Sequence, residues 1–361
     1  MAVSLESIAA LDLADEAWEI APVTLVAVPA VCRVSNLRET SGSLGAYLLD
    51  VMYAAGSVEV DALHLVRLPR MTRLVGDGLY TIMCGTRMVR EQRLPGETFP
   101  SGYTNSEWRA EVVIEDECVM LARVGIDTWG HWLSELWPRA ILAEQTFPGR
   151  FRFAVPRGVL EEPSDAWPRI LESLEFVGIA RDRLIPLDER VDYSFDSMWI
   201  TTDVWSQRLI HPHALESMRR FGPSAIAGDR IYLKRTPSPI RALINEAEVE
   251  SWFASRGFRP VEIGALTFED QVNVFARAAE LAGVRGSNFT GMIFSPLGVR
   301  VTAIAPPTYL GMVHAHIQAL YGTLADIRGS MVEHGESFSR LGNRSFVVDV
   351  STLERLLGDS L

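Results

Sequence analysis

The sequence predicts an α/β protein with two successive parallel sheets behind a strand-rich N-terminal region. Three observations carry this. From about residue 111, short apolar runs of strand length alternate with helical stretches, the rhythm of strand–helix–strand units and so of parallel sheets. A connector at 206–229 interrupts that rhythm once, and it then starts again. Before residue 111, short β-like runs are separated by Gly- and Pro-containing breaks instead. The expected divisions are a strand-rich region at 1–110, a first α/β lobe at 111–225, a second at 226–330, and a tail at 331–361 packing back on the body. Two such lobes imply a cleft, and ligands in these folds sit outside the carboxyl ends of the strands.

In order along the chain, VTLVAVPAV (23–31) and LHLVRL (63–68) are strand candidates. CVMLARV (118–124) has the apolar continuity of a buried strand, and WGHWLSELWPRAILAEQ (129–145) is helical. RFAVP (152–156) is a strand, AWPRILESLEFVG (166–178) a helix, and RLIPL (183–187) and MWITTDVW (198–205) are strands. In the second unit RIYLKR (230–235) is a strand. NEAEVESWFASRG (245–257) is a helix with Asn245 as cap, Glu248 at the capping-box position and Gly257 as stop. FRPVEI (258–263) is a strand, and TFEDQVNVFARAAE (267–280) a helix capped by Thr267 and Asp270. LAGVRG (281–286) is a strand, NFTGMIFSP (288–296) a short helix and VRVTAIA (299–305) a strand.

Composition narrows the function. The formal charge of -12 lacks the signature of a nucleic-acid binder. Cys32, Cys84 and Cys118 are odd in number, far apart and without a CxxC pair, which fits a reducing compartment rather than a disulfide framework or zinc site. The acidic N-terminus lacks the basic start and apolar core of a signal peptide, and no run reaches the roughly 18 apolar residues of a membrane span. The expected location is the cytoplasm, with peripheral membrane association left open.

Three clusters carry chemistry. Arg230, Lys234, Arg235 and Arg241 fall close together in an otherwise acidic chain. Arg235 closes a strand ahead of a Pro-rich loop, where its planar fork of donors suits a phosphate. The alternative is a solvated strand whose charges pair with nearby carboxylates. Gly286, Ser287, Asn288, Thr290 and Gly291 follow a strand and open a helix, where free N–H groups suit a diphosphate. An ordinary strand-to-helix turn has the same composition. Third, His131, Glu135 and Arg139 share one helical face among Trp129, Trp132 and Trp137. A histidine and a carboxylate beside aromatic rings could deprotonate an acceptor hydroxyl and stack on sugars. The alternative is a Glu135–Arg139 ion pair beside a satisfied histidine. His211 and His213 have no third ligand nearby in sequence, and Glu115–Glu117 reads as a turn before a strand, so no metal site is expected.

In this order the clusters resemble glycosyltransferase family 61, with the likeness running from about 115 to 325. The family's histidine and acidic residue in a hydrophobic helix are matched by His131 and Glu135. Its strand-closing arginine, second arginine and Asn-Glu are matched by Arg235, Arg241, Asn245 and Glu246. Its Phe-x-x-Gln is matched by Phe268 and Gln271, and its glycine loop before Phe-x-x-x-Gly by Gly286, Phe294 and Gly298. Three departures stand out: Arg285 and Ser287 flank Gly286 where the family has His-Gly-Ala, Gly291 replaces a frequent Asn, and Ala303 replaces a late acidic residue.

The resemblance implies a GT-B-like fold, two Rossmann-like lobes facing a cleft, and an inverting, metal-independent glycosyltransferase. A nucleotide-sugar would be the co-substrate, with no further cofactor, and a glycan the acceptor, in surface polysaccharide or glycan biosynthesis. Glu135, as base, and His131 would be catalytic. Arg235, Arg241, Asn245, Glu246, Gln271, Arg285, Gly286, Ser287, Asn288 and Thr290 would hold the donor, Arg285 adding a phosphate contact. The departures keep a second reading open, a non-catalytic nucleotide-sugar-binding or scaffold subunit. A nicotinamide-dependent dehydrogenase is disfavoured, because no GxGxxG with a following acidic residue is present.

Overall fold

The computed structural model describes residues 7–28, 30, 32–47, 49–50, 53–70, 72–75, 80–84, 87–89, 112–123, 125–126, 128–161, 167–204, 209–222, 228–235, 241–309, 322–332 and 344–358. It is a mixed α/β structure with parallel sheets, divided into two compact units. One unit comprises residues 1–24, 60–206 and 211–217, the other 25–59, 207–210 and 218–361.

The first unit is built on a mixed sheet. Its parallel part runs Tyr193–Thr201, Val112–Met120, Arg152–Pro156, Leu184–Leu187 in spatial order. The antiparallel strands Leu63–Arg67 and Thr72–Val75 both join Tyr193–Thr201, and Glu16–Ala21 pairs with Leu63–Arg67. Val66, Ile82, Met120, Phe195 and Ile200 are wholly buried in the core of this sheet. The strand expected at 118–124 begins earlier, so Glu115–Glu117 belongs to it rather than to a turn. Its pairing register shifts between Ile114 and Glu117, and the side chains answer for the charge: Glu117 meets Arg150 and Asp116 meets Arg152.

The second unit carries a fully parallel six-stranded sheet in the order Arg259–Glu262, Asp229–Lys234, Ala278–Val284, Val299–Ala305, Gly322–Arg328, Cys32–Ser35. Strands buried on both faces need mostly small or apolar residues, as AAELAGV and VRVTAIA supply apart from Glu280 and Arg300, which pair with each other. Gly283 is required by geometry. Its φ is 150°, and a Cβ there would lie 2.5 Å from the Leu233 carbonyl oxygen. Thr267 caps the helix Phe268–Arg277 by accepting from the Asp270 N–H. That helix stops three residues short of the expected end, because Ala278 already pairs with Asp229 and pairing overrides helix propensity. Asn245 sits at the N-cap of Glu246–Ala254 as expected, but its side chain makes no capping hydrogen bond to the helix backbone. Its amide instead donates to the Val348 carbonyl and accepts from the Val348 N–H, tying down the C-terminal segment. The helix Val350–Leu357 then inserts Leu353 and Leu357 into the core of this unit, beside Phe253, Ile304 and Ile327.

Of the strands expected within 1–110, Leu63–Arg67 joins the first sheet, whereas Thr24–Val28 pairs with Gly56–Val60 in a separate two-stranded sheet; Glu16–Ala21 adds to the first sheet and Cys32–Ser35 to the second. Residues 90–110, the Pro-rich loop at 236–240, and 333–343 of the C-terminal tail lie outside the described residues.

Candidate functional site

In the first unit, the chain leaves the strand Val112–Met120 and reaches a helix that changes pitch. Trp129–His131 is α-helical, Trp132–Leu136 forms a π-helical turn, and Trp137–Thr146 resumes the α-helix. Pro138 has no N–H for the Ser134 carbonyl, and the Trp137 N–H reaches back five residues to the Trp132 carbonyl. Such turns often mark functional positions. Trp132 and Trp137 are wholly buried and donate to the Ser173 hydroxyl and carbonyl at 2.8 and 2.9 Å. They fasten the helix rather than offer rings to a sugar; of the three tryptophans only Trp129 is partly exposed.

The π turn presents Glu135 to His131, whose Nδ1 lies 2.5 Å from Oε1. The other oxygen meets the buried guanidinium of Arg123. Arg139, also buried, contacts Asp203 at 3.3 Å. Burial alone would raise the Glu135 pKa. The His131 hydrogen bond and the charges of Arg123, His131 and Arg139 outweigh it and hold the carboxyl below its ordinary value. Glu135 is therefore a fixed anion that orients the histidine, with 30 % of the His131 side chain left exposed.

In the second unit, Arg235 directly follows the strand Asp229–Lys234 and donates to the Arg241 carbonyl at 3.4 Å. Burial and the neighbouring Arg241 both lower its pKa. The Arg241 guanidinium stacks on Tyr309, 4.2 Å from the ring centroid. Gly286 lies against the Arg235 side chain, and Asn288 donates to the Val284 carbonyl. Glu246 is half-buried near Arg235, with its pKa raised by burial first. Several buried atoms here have no hydrogen-bond partner among the described residues: Arg241 Nε, Glu246 Oε1, Asn288 Oδ1 and Thr290 Oγ1. Orphaned buried polar atoms are rare in folded proteins and call for a ligand or water. Arg241, Glu246 and Asn288 lie near Arg235, just beyond the carboxyl end of the strand Asp229–Lys234, where such folds bind ligands.

Arg285 takes a different place from the one expected. It is wholly buried, reaching Tyr53 at 3.1 Å and Asp326 at 3.2 Å. Arg328 clasps the same carboxylate through Nε and Nη2, and Tyr53 donates to it at 2.6 Å. The two arginines hold Asp326 well below the usual carboxylate pKa against the cost of burial, the largest single influence. Registers across the sheet set Gly283, Ala303 and Asp326 side by side. With Ala303 between them, Arg285 can cross the middle strand to Asp326. The family's late acidic position and the acid in this chain thus lie on neighbouring strands. Arg285 Nε and Nη2 have no partner among the described residues.

Of the remaining candidates, Ser287 and Thr290 lie on a 3-10 helix, Ser287–Phe294, rather than an α-helix. Gln271 is buried and donates to the Leu266 carbonyl. The structure thus groups Arg235, Arg241, Glu246, Gly286 and Asn288, while Asn245 is committed to Val348. Sequence reasoning missed Arg123, Tyr309, Asp326 and Tyr53. Arg123 had one signal, its place just after a buried strand and ahead of the His131 helix. Among the described residues no three His, Cys, Asp or Glu side chains gather to hold a metal ion, and no helix is long and apolar enough to cross a membrane.

No curated protein matches this chain. The model of the family described as glycosyltransferase 61 matches residues 129–302, from just ahead of His131 to the strand that carries Ala303. The chain therefore carries a glycosyltransferase family 61 domain over residues 129–302, and it is a glycosyltransferase.

Proposed function

We propose that the chain is an inverting, metal-independent glycosyltransferase of GT-B type, acting in the cytoplasm on a nucleotide-sugar donor and a glycan acceptor. The donor diphosphate binds at Arg235, Arg241 and the turn after Gly286. Glu246, whose free carboxylate oxygen is an acceptor, takes a donor hydroxyl. The observation that carries this reading is the orphaned buried polar atoms of Arg241, Glu246 and Asn288, three residues placed near Arg235. As the bond from the anomeric carbon to the diphosphate breaks, charge grows on the leaving oxygen. Fixed guanidinium and N–H groups stabilise it without reorganising.

His131 is the base of this mechanism. With Nδ1–H held by Glu135, Nε2 accepts the proton of the acceptor hydroxyl as that oxygen attacks the anomeric carbon from the face opposite the diphosphate. The resulting imidazolium lies beside the Glu135 carboxylate. Glu135 itself, engaged by Arg123 and His131 and kept at low basicity, is the positioning residue. This reverses the roles expected from sequence.

The test is a panel of nucleotide-sugars incubated with the full chain, with and without glycan acceptors, followed by NMR of the product's anomeric proton. Transfer or donor hydrolysis with inverted configuration is expected. Retention of configuration, or full activity only with an added divalent cation, would overturn the mechanism.

A further inference from the structure

We infer that Tyr309 is the positioning residue of the anion site, its ring fixing Arg241 beside Arg235 so that both guanidinium groups are oriented before a diphosphate arrives. The inference rests on the donor-site reading above.

Arg241 has φ of 57°, and among the described residues only Tyr80 shares a positive φ without being glycine. Such a conformation persists only where the surroundings over-determine it, and it collects at ligand clamps. Two contacts do so here. The Arg241 carbonyl accepts from Arg235 Nη1, and its guanidinium carbon lies over the Tyr309 ring. That stack leaves Arg241 Nε buried with no partner among the described residues. Packing alone would gain nothing from an arginine with an unsatisfied donor.

Tyr309 is itself held from below. Its N–H donates to the Pro306 carbonyl at 3.2 Å. Its own carbonyl accepts from Arg328 Nη1 at 2.6 Å, and the same nitrogen donates to Pro306 at 2.9 Å. Arg328 is buried and anchored on Asp326. A continuous chain of contacts therefore runs from the Asp326 carboxylate through Arg328 and Tyr309 to Arg241 and Arg235. Two like charges held close in this way repel each other, and a bridging dianion relieves that repulsion. An aromatic face is the suitable brace, because it attracts a guanidinium without neutralising it.

The test is calorimetric titration of the full chain with pyrophosphate and with UDP. Tyr309→Phe keeps the ring and is expected to bind as wild type. Tyr309→Leu is expected to weaken pyrophosphate about tenfold, as is Arg241→Ala, and the double variant to be no weaker than Arg241→Ala alone, the signature of residues acting as one unit. Circular dichroism checks that each variant is folded, and if Tyr309→Leu is not, Tyr309→Met is read in the same way. Wild-type affinity in Tyr309→Leu with a weakened Arg241→Ala overturns the inference and leaves the donor site standing; so do additive losses. Wild-type affinity in both Arg235→Ala and Arg241→Ala, or a wild-type chain that binds neither probe, overturns the donor-site reading itself.

Discussion

At His131 the ring meets a carboxylate whose second oxygen is already engaged by Arg123, and single substitutions separate the three roles. His131→Gln removes the proposed proton acceptor. It is expected to lower kcat by about 10²–10⁴-fold and leave donor affinity within about twofold, measured by turnover and calorimetry. Glu135→Gln keeps the shape but leaves Arg123 buried beside a neutral amide, which costs about 3 kcal/mol of stability, read by chemical denaturation. Because the Glu135 carboxyl is depressed, its stabilisation is complete above the ordinary carboxylate range and is lost only as pH falls through its lower folded value. The wild-type excess over Glu135→Gln should therefore persist at neutral pH and vanish in strong acid; an excess that grows on acidification would contradict the assignment. For Arg235→Lys, loss of the planar fork is expected to weaken pyrophosphate by roughly 1.5–3 kcal/mol, and equal affinity would remove Arg235 from the site. His131, Glu135, Arg235 and Arg241 stood out as candidates because their residue types and order carry chemistry locally. Arg123, Tyr309 and Asp326 were not, since each matters only through a contact made at long range. Arg285 was misjudged for the same reason: an arginine beside a glycine turn suggests a phosphate until Asp326 is brought within 3.2 Å.

At the scale of elements, strands were read more faithfully than helix ends. RFAVP and VRVTAIA fall where expected, at Arg152–Pro156 and Val299–Ala305, because short apolar runs between turn residues have little other use in this fold. The π-helical turn at Trp132–Leu136 was illegible, since periodicity assumes constant pitch. The 3-10 helix Ser287–Phe294 carries a second hidden constraint. A Cβ at Gly291 would lie 2.1 Å from the Phe275 ring, which is buried in the helix Phe268–Arg277. The departure from the family's frequent Asn is thus a packing requirement of this chain. Gly291→Asn is expected to force the two elements apart at a cost of about 2–3 kcal/mol, and Gly291→Asn with Phe275→Leu to recover part of it. Denaturant midpoints decide: an unchanged midpoint for Gly291→Asn would show that the ring yields freely.

At the scale of the molecule, the alternation of strand and helix disclosed two α/β units, but not which early segments complete each sheet. Cys32–Ser35 lies about 290 residues from the strand it joins, Gly322–Arg328, and no periodicity encodes so distant a pairing. Buried titratable groups set the pH response of such an assembly. His211 is an example that sequence reasoning had set aside as a doubtful metal ligand. It is buried, and its Nδ1 accepts the backbone N–H of His213 at 3.1 Å. Burial first, then the charge of His213, lowers its pKa from 6.5 to about 4. A histidine depressed in this way binds its proton more readily when unfolded. Stability should therefore be level above about pH 6.5, fall between there and about pH 4, and then level off again as far as this group is concerned. His211→Asn keeps an acceptor for the His213 N–H but does not titrate. It is expected to lose the decline specific to that window, so that wild type and variant differ by several degrees in Tm at pH 7 and converge, or cross, near pH 4. The carboxylates Glu135 and Asp326, both depressed, act at lower pH, and Glu246, raised by burial, titrates alike in both proteins, so the difference between the two curves isolates His211. Thermal melts at half-unit intervals measure it, and parallel curves for the two proteins from pH 7 to pH 4 would show that His211 is not the group being titrated.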